Sequence, residues 1–179
     1  FATSPERTPL FGRTLARQVA QALAATGTRE VWEFGAGTGA LALQILQTLD
    51  QIGCPCERYT VVELSAALRA RQQVSLAAYA DKVHWLDTLP DSFNGVVLGN
   101  EVLDAMPVKL LARQQGKWFE RGVSETLQTD KPTVETWVWQ DRPTDLRPPC
   151  DIGGEHDFLT EFHPQAEAFI RTLAERLGS

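Results

Sequence analysis

The segment with the most chemical content is Glu33-Phe34-Gly35-Ala36-Gly37-Thr38-Gly39, a turn of small residues with an acid before its first glycine. Glycines let a backbone turn sharply and approach a ligand closely, and the helix that follows offers unpaired N–H groups. Such a loop suits any nucleotide-like ligand, because Gly35, Gly37 and Ala40 also satisfy the dinucleotide spacing. Glu33 narrows the choice. A carboxylate there repels a pyrophosphate and attracts the amino group of a methionine moiety, directly or through water. Glu63 ends the next strand and can accept from both hydroxyls of a ribose, a role that nicotinamide cofactors share. Asp87, after the third strand, can accept from an adenine amino group. Together these residues read as a site for S-adenosylmethionine. The plainer readings are a tight turn for the glycines, a helix cap near Ser65 for Glu63, and a turn residue for Asp87.

A second constellation is Gly99-Asn100-Glu101-Val102-Leu103-Asp104-Ala105-Met106-Pro107. The pattern predicts a helical turn from Glu101, cut short by Pro107, with Asn100 as its N-cap and Glu101 and Asp104 on one face. Two carboxylates beside a transferred methyl suit a cationic acceptor. A guanidinium pairs with carboxylates in bidentate fashion, and charge must be withdrawn from one nitrogen before it attacks. Asn100, Glu101 and Asp104 are therefore the candidate catalytic residues, and Asn100 also borders the cofactor. The plainer reading is a cap with acids that complement the helix dipole. His84, His156 and His163 form no Ser-His-Asp or Cys-His arrangement.

These residues need elements to hold them at one edge. Residues 9–25 read as an amphipathic helix with Phe11, Leu15, Val19 and Leu23 on one stripe, capped by Thr3 or Ser4. Strands are expected at Glu30–Phe34, Tyr59–Leu64, Val83–Trp85 and Asn94–Asn100, with helices from about Thr38 to Asp50 and over 66–79. This alternation predicts an α/β fold: a Rossmann-like parallel sheet flanked by helices. Beyond Pro107 the pattern changes to short strands at Val108–Arg113, Lys117–Val123 and Val134–Gln140, with a hairpin at Gly116. Residues 142–154 read as loop and 164–177 as a last helix. Trp118, Trp137 and Trp139 are expected to form a small core. The expected organisation is a cofactor-binding core over 1–107, a β-rich insertion over 108–160, and a helix over 161–179 that returns to the core.

Composition sets outer limits. The chain has 179 residues, 43% hydrophobic and 22% charged, with a net charge of -6. That is enough for a real core, and it argues against non-specific grip on nucleic acid or anionic membrane. No apolar run is long enough to cross a bilayer, and no signal peptide is visible. Cys54, Cys56 and Cys150 are an odd set without zinc spacing, which suits free thiols in a reducing compartment and no metal site.

Thr3-Ser4-Pro5-Glu6 with Phe11-Gly12, the glycine segment, Val62-Glu63-Leu64-Ser65 and the Asn100–Pro107 segment together resemble the MidA family of methyltransferases. The Asn-Glu-x-x-Asp-Ala-x-Pro segment is the most specific of these. The resemblance implies a class I methyltransferase fold and adds Leu64 to the cofactor-binding residues. It also brings a mitochondrial relative that assembles respiratory complex I and dimethylates an arginine of a protein partner. It implies a bacterial cytoplasmic location, or the mitochondrial matrix in a eukaryote. Family members are roughly twice as long, so the chain reads as truncated. The 94–100 strand is then expected to pair with the insertion, to pair with another copy as a homo-oligomer, or to stay exposed. Three other functions fit the residues: methyl transfer to a small molecule or another side chain, nicotinamide-dependent oxidoreduction, and a non-catalytic assembly factor.

Overall fold

The computed structural model describes residues 3–54, 56–127, 135–154 and 156–178. The chain forms two compact units. The first runs to Ala105 and resumes at Arg171, and the second is Met106–Ile170.

The first unit begins with α1 (Ser4–Arg7) and α2 (Pro9–Thr26). The cap of α2 is Thr8, not the expected Thr3 or Ser4. Its extended backbone separates the two helices, and its hydroxyl accepts from the Leu10 N–H at 3.3 Å. Pro9 then costs no hydrogen bond, because the first helical N–H has no partner in any helix. Four parallel strands follow: β1 (Glu30–Phe34), β2 (Arg58–Val62), β3 (Val83–Leu86) and β4 (Val96–Gly99). Their order is β3-β2-β1-β4. Between them lie α3 (Ala40–Gln51), α4 (Ala66–Ser75) and a single 3-10 turn, Ala77–Tyr79.

The spacing of apolar residues explains the packing. On α3, Leu41, Ala42, Ile45, Leu46 and Leu49 recur at helical spacing and are all buried. They meet Val31 of β1, Tyr59 and Val61 of β2, and Val19 and Leu23 of α2 in one core. α2 and α3 come together at Gly12. A Cβ at Gly12 would collide with the side chain of Gln44. Instead the Gly12 N–H donates to Gln44 Oε1 at 3.2 Å, and Gln44 Nε2 donates to the Pro5 carbonyl at 2.7 Å. One glutamine thus ties α1 and α2 to α3.

The order reverses between β1 and β4, which makes that gap the switch point where open α/β sheets bind ligands. Among the described residues β4 pairs with β1 alone. Just ahead of β4, Phe93 bridges to Leu177. Its N–H donates to the Arg176 carbonyl at 2.9 Å.

The segment after β4 is not helical, contrary to expectation. Glu101 sits at φ +55°, in the left-handed region, which halts the right-handed run that a helix needs. Residues 101–106 make bends and a turn. Asn100 therefore caps no helix, and Glu101 and Asp104 share no helical face.

The second unit is an antiparallel sheet of β5 (Lys109–Gln114), β6 (Lys117–Leu127), β7 (Glu135–Pro143) and β8 (Phe158–Phe162), in the order β7-β6-β5-β8. The expected hairpin turn is Gln115-Gly116. Both residues have positive φ, 49° and 75°, the twist that two-residue hairpins favour. The expected start of the third short strand, Val134, lies outside the described residues. β8 was not expected at all. Arg121 grips Asp141 with two bonds of 2.7 and 2.8 Å, tying β6 to β7 and holding the Asp141 carboxyl below the ordinary carboxylate range.

The tryptophans divide. Trp118 packs edge-on against Phe158 at 5.4 Å. Trp137 and Trp139 belong to no core, contrary to expectation: they are 67% and 65% exposed. Two positions apart on β7, they share one face of the sheet. The final helix, α5 (Pro164–Arg176), starts in the second unit and ends in the first. No helix among the described residues is long and apolar enough to cross a membrane.

Candidate functional site

Each parallel strand ends beside a residue singled out from the sequence: Gly35 follows β1, Glu63 follows β2 by one residue, Asp87 follows β3, and Asn100 follows β4. At the β1/β4 switch point lies a cavity of about 340 Å³, the size of a small-molecule site. Glu33, Gly35, Ala36, Gly37 and Thr38 line one wall, Asn100 and Glu101 another. Leu68 and Arg71 of α4 and Thr3, Pro5 and Glu6 at the start of the chain complete it. Glu6 Oε1 accepts from the Thr38 hydroxyl at 3.0 Å, joining α1 to the glycine loop.

The loop needs its glycines. Gly35, Gly37 and Gly39 have φ of 66°, 55° and 85°, where a side chain is strained. A Cβ on Gly37 would meet nothing within 4 Å, so the backbone there faces open space that a ligand can enter.

Glu33 is the most unusual group in the wall. It is 1% exposed, and its Oε2 accepts from the Tyr59 hydroxyl at 2.6 Å. Burial raises its pKa from 4.5 to about 7, against a smaller lowering by the Tyr59 bond. Burial and the neighbouring Glu33 push the Tyr59 phenol well above its ordinary value, so it stays a donor. A buried acid that gains from a cationic partner, and faces a cavity, is a candidate site for an ammonium group.

Glu63 sits behind the cavity rather than in its wall. Its Oε1 accepts from the Ser65 N–H at 2.8 Å, as the plainer reading held, and its Oε2 accepts from Gln72 Nε2 at 3.0 Å. The same Gln72 nitrogen donates to the Gly37 carbonyl at 2.9 Å, so Glu63 and the glycine loop are neighbours. Each Glu63 oxygen keeps a lone pair for a ribose hydroxyl. Gly39 is the N-cap of α3 and backs onto Gln72. Leu64 is 81% exposed beside Glu63. Asp87 is exposed, with the Thr88 hydroxyl donating to it at 3.3 Å. Asp104 is exposed and does not line the cavity.

Sequence reasoning missed Thr3, Pro5, Glu6, Thr38, Ala40, Leu41, Leu68 and Arg71 of the cavity lining, and Gln72 behind it. One signal was available for α4: Leu68, Arg71 and Gln72, three and four apart, share a helical face that points toward the glycine loop. A larger hollow of about 570 Å³ lies in the second unit against Arg113, Lys117, Phe119 and Arg121. No glycine loop or set of parallel strand ends converges there. Among the described residues no group of three His, Cys, Asp or Glu side chains gathers as metal ligands would.

Comparison with known proteins agrees with this geometry. A family model described as "Putative S-adenosyl-L-methionine-dependent methyltransferase" matches residues 14–179. A crystal structure of a COG1565 superfamily member from Burkholderia thailandensis, bound to S-adenosyl-homocysteine, is similar with 47% identity and a TM-score of 0.81. It covers 99% of this chain and 46% of that one. A native crystal structure of a COG1565 superfamily protein from the same organism gives 46% identity and a TM-score of 0.79, covering 99% and 48%. The mitochondrial protein arginine methyltransferase NDUFAF7 homolog of Caenorhabditis elegans is 32% identical over 154 residues, 73% of this chain and 36% of that protein. The chain thus spans about half the length of the solved relatives and about a third of the curated one.

Proposed function

Because the chain belongs to the MidA family of S-adenosyl-L-methionine-dependent methyltransferases, we propose that its cavity takes the cofactor and that the whole protein methylates a guanidinium. The observation that carries the reading is Glu33, a buried carboxylate facing the β1/β4 cavity with one lone partner. It fits the cofactor's ammonium, and Arg71 on the same wall suits its carboxylate. Glu63 accepts the ribose hydroxyls, Leu64 covers the sugar face, and Asp87 accepts from the adenine amino group. Gly35, Ala36, Gly37 and Gly39 let the backbone close on the ligand. S-adenosylmethionine supplies a methyl group on a sulfonium, open to in-line attack.

Asn100 and Glu101 stand where that methyl would be presented. Glu101 pairs with a guanidinium at the cavity mouth, and Asp104 holds its far side, withdrawing charge from the attacking nitrogen and fixing its line of approach. The support for a protein arginine as acceptor is the pair of acids in this turn together with the curated worm relative. The helical face once expected to align them plays no part. Three free cysteines fit a bacterial cytoplasm, or a mitochondrial matrix in a eukaryote.

Calorimetry tests the cofactor: S-adenosyl-homocysteine binds and NAD does not. Binding of NAD alone returns the site to the oxidoreductases. Mass spectrometry of proteins methylated by the intact gene product tests the acceptor. Asp104→Ala there spares cofactor binding and lowers arginine methylation by about 100-fold or more, the scale for losing a positioning charge. Retained activity removes Asp104 from the acceptor site.

A further inference from the structure

Gln72 is fully buried on α4, an uncommon place for a glutamine. Its amide spends its hydrogen-bonding capacity on three groups. Trp85 Nε1 donates to its Oε1 at 3.0 Å. Its Nε2 donates to the Gly37 carbonyl at 2.9 Å and to Glu63 Oε2 at 3.0 Å. An indole N–H only donates, while a carbonyl and a carboxylate only accept, so these partners fix which end of the amide points where. The contact is steric as well. A Cβ on Gly39 would stand 3.5 Å from both the Cα and the Cγ of Gln72.

We propose that Gln72 is a positioning residue that locks the glycine loop to the ribose-side acid and so sets the spacing between the two halves of the cofactor site. The inference rests on the cofactor reading above. Holding the Gly37 carbonyl fixes the plane of the Gly37–Thr38 peptide, and with it the Thr38 N–H at the cavity wall. Holding one Glu63 oxygen, while Ser65 holds the other, leaves the carboxylate with one rotamer and one free lone pair on each oxygen. Trp85 acts one step further out by orienting the amide.

The test uses Gln72→Met in the intact protein, which keeps the volume and removes both donors. S-adenosyl-homocysteine affinity falls about 5- to 150-fold, the range for leaving buried acceptors without a donor. Without ligand, amide exchange at residues 35–39 speeds up while β1 and α3 stay protected. Glu63→Ala costs less affinity in the Gln72→Met background than in the wild type, because the two residues act on one path. Trp85→Phe is the gentler variant, with a smaller loss in the same direction, and decides the matter if Gln72→Met does not fold. A folded variant that binds within twofold of wild type, or strict additivity with Glu63→Ala, overturns the proposal alone. A wild-type protein that fails to bind S-adenosyl-homocysteine overturns the cofactor reading and this inference with it.

Discussion

The two units use their buried polar groups differently. The parallel-sheet unit buries Glu33, Glu63 and Gln72, each under 9% exposed, around the glycine loop. The antiparallel unit buries Arg113, 8% exposed, and its guanidinium donates to the backbone carbonyls of Ile152 and His156. Burying polar groups is costly unless they are bonded, and Arg113 spends its bonds on the chain itself. Glu33 has one hydrogen bond and a cavity, Glu63 two bonds and open lone pairs. The contrast therefore assigns ligand recognition to the first unit.

Three measurements probe that contrast. The largest effect is expected from Glu33→Ala, which removes the ammonium partner and strands the Tyr59 hydroxyl. Cofactor affinity drops by about 2–5 kcal/mol, as when one member of a buried charge pair is truncated. Calorimetry showing less than a threefold change would place the ammonium elsewhere.

The pH dependence of folding comes next. Glu33 titrates near 7 in the folded chain and near 4.5 when unfolded. Between those values the native state binds the extra proton, so its contribution is full below pH 4.5 and is lost as pH rises to about 7. The rise corresponds to about 3 kcal/mol. Glu33→Gln keeps an acceptor for Tyr59 and carries no charge, so the variant gains stability relative to wild type as pH climbs through this window. Thermal unfolding of both proteins from pH 4 to 8 measures it, and parallel curves would mean that Glu33 keeps its ordinary pKa in the folded chain.

The smallest effect belongs to the other unit. Replacing Trp137 and Trp139 together with Ser leaves cofactor affinity unchanged and moves stability by less than about 0.5 kcal/mol. A large loss of either kind would show that their face is covered in solution.

How much of this the sequence made legible follows the same division. β1 matches its expected bounds, because its short β-forming run ends at once in the glycine turn. The strand ends, and hence Glu33, Glu63, Asp87 and Asn100, followed from it. Gln72 did not, because a glutamine in an amphipathic helix reads as solvent face until its partners are seen. The turn after β4 misled for a local reason: nothing in Asn-Glu-Val-Leu marks Glu101 as left-handed. β8 is the five-residue Phe-Leu-Thr-Glu-Phe, which lacks the apolar–polar alternation of a readable strand, and its strand state depends on pairing with β5, far earlier in the chain.

The crossing at Gly12 has a reach beyond packing. Any side chain there displaces Gln44, and Gln44 is what anchors the Pro5 carbonyl. Pro5 and Glu6 roof the ligand cavity. A methyl group added between two helices would thus surface as a leaking nucleoside pocket, and a lesion at Gly12 would be mistaken for a fault of recognition in a residue that no ligand ever touches.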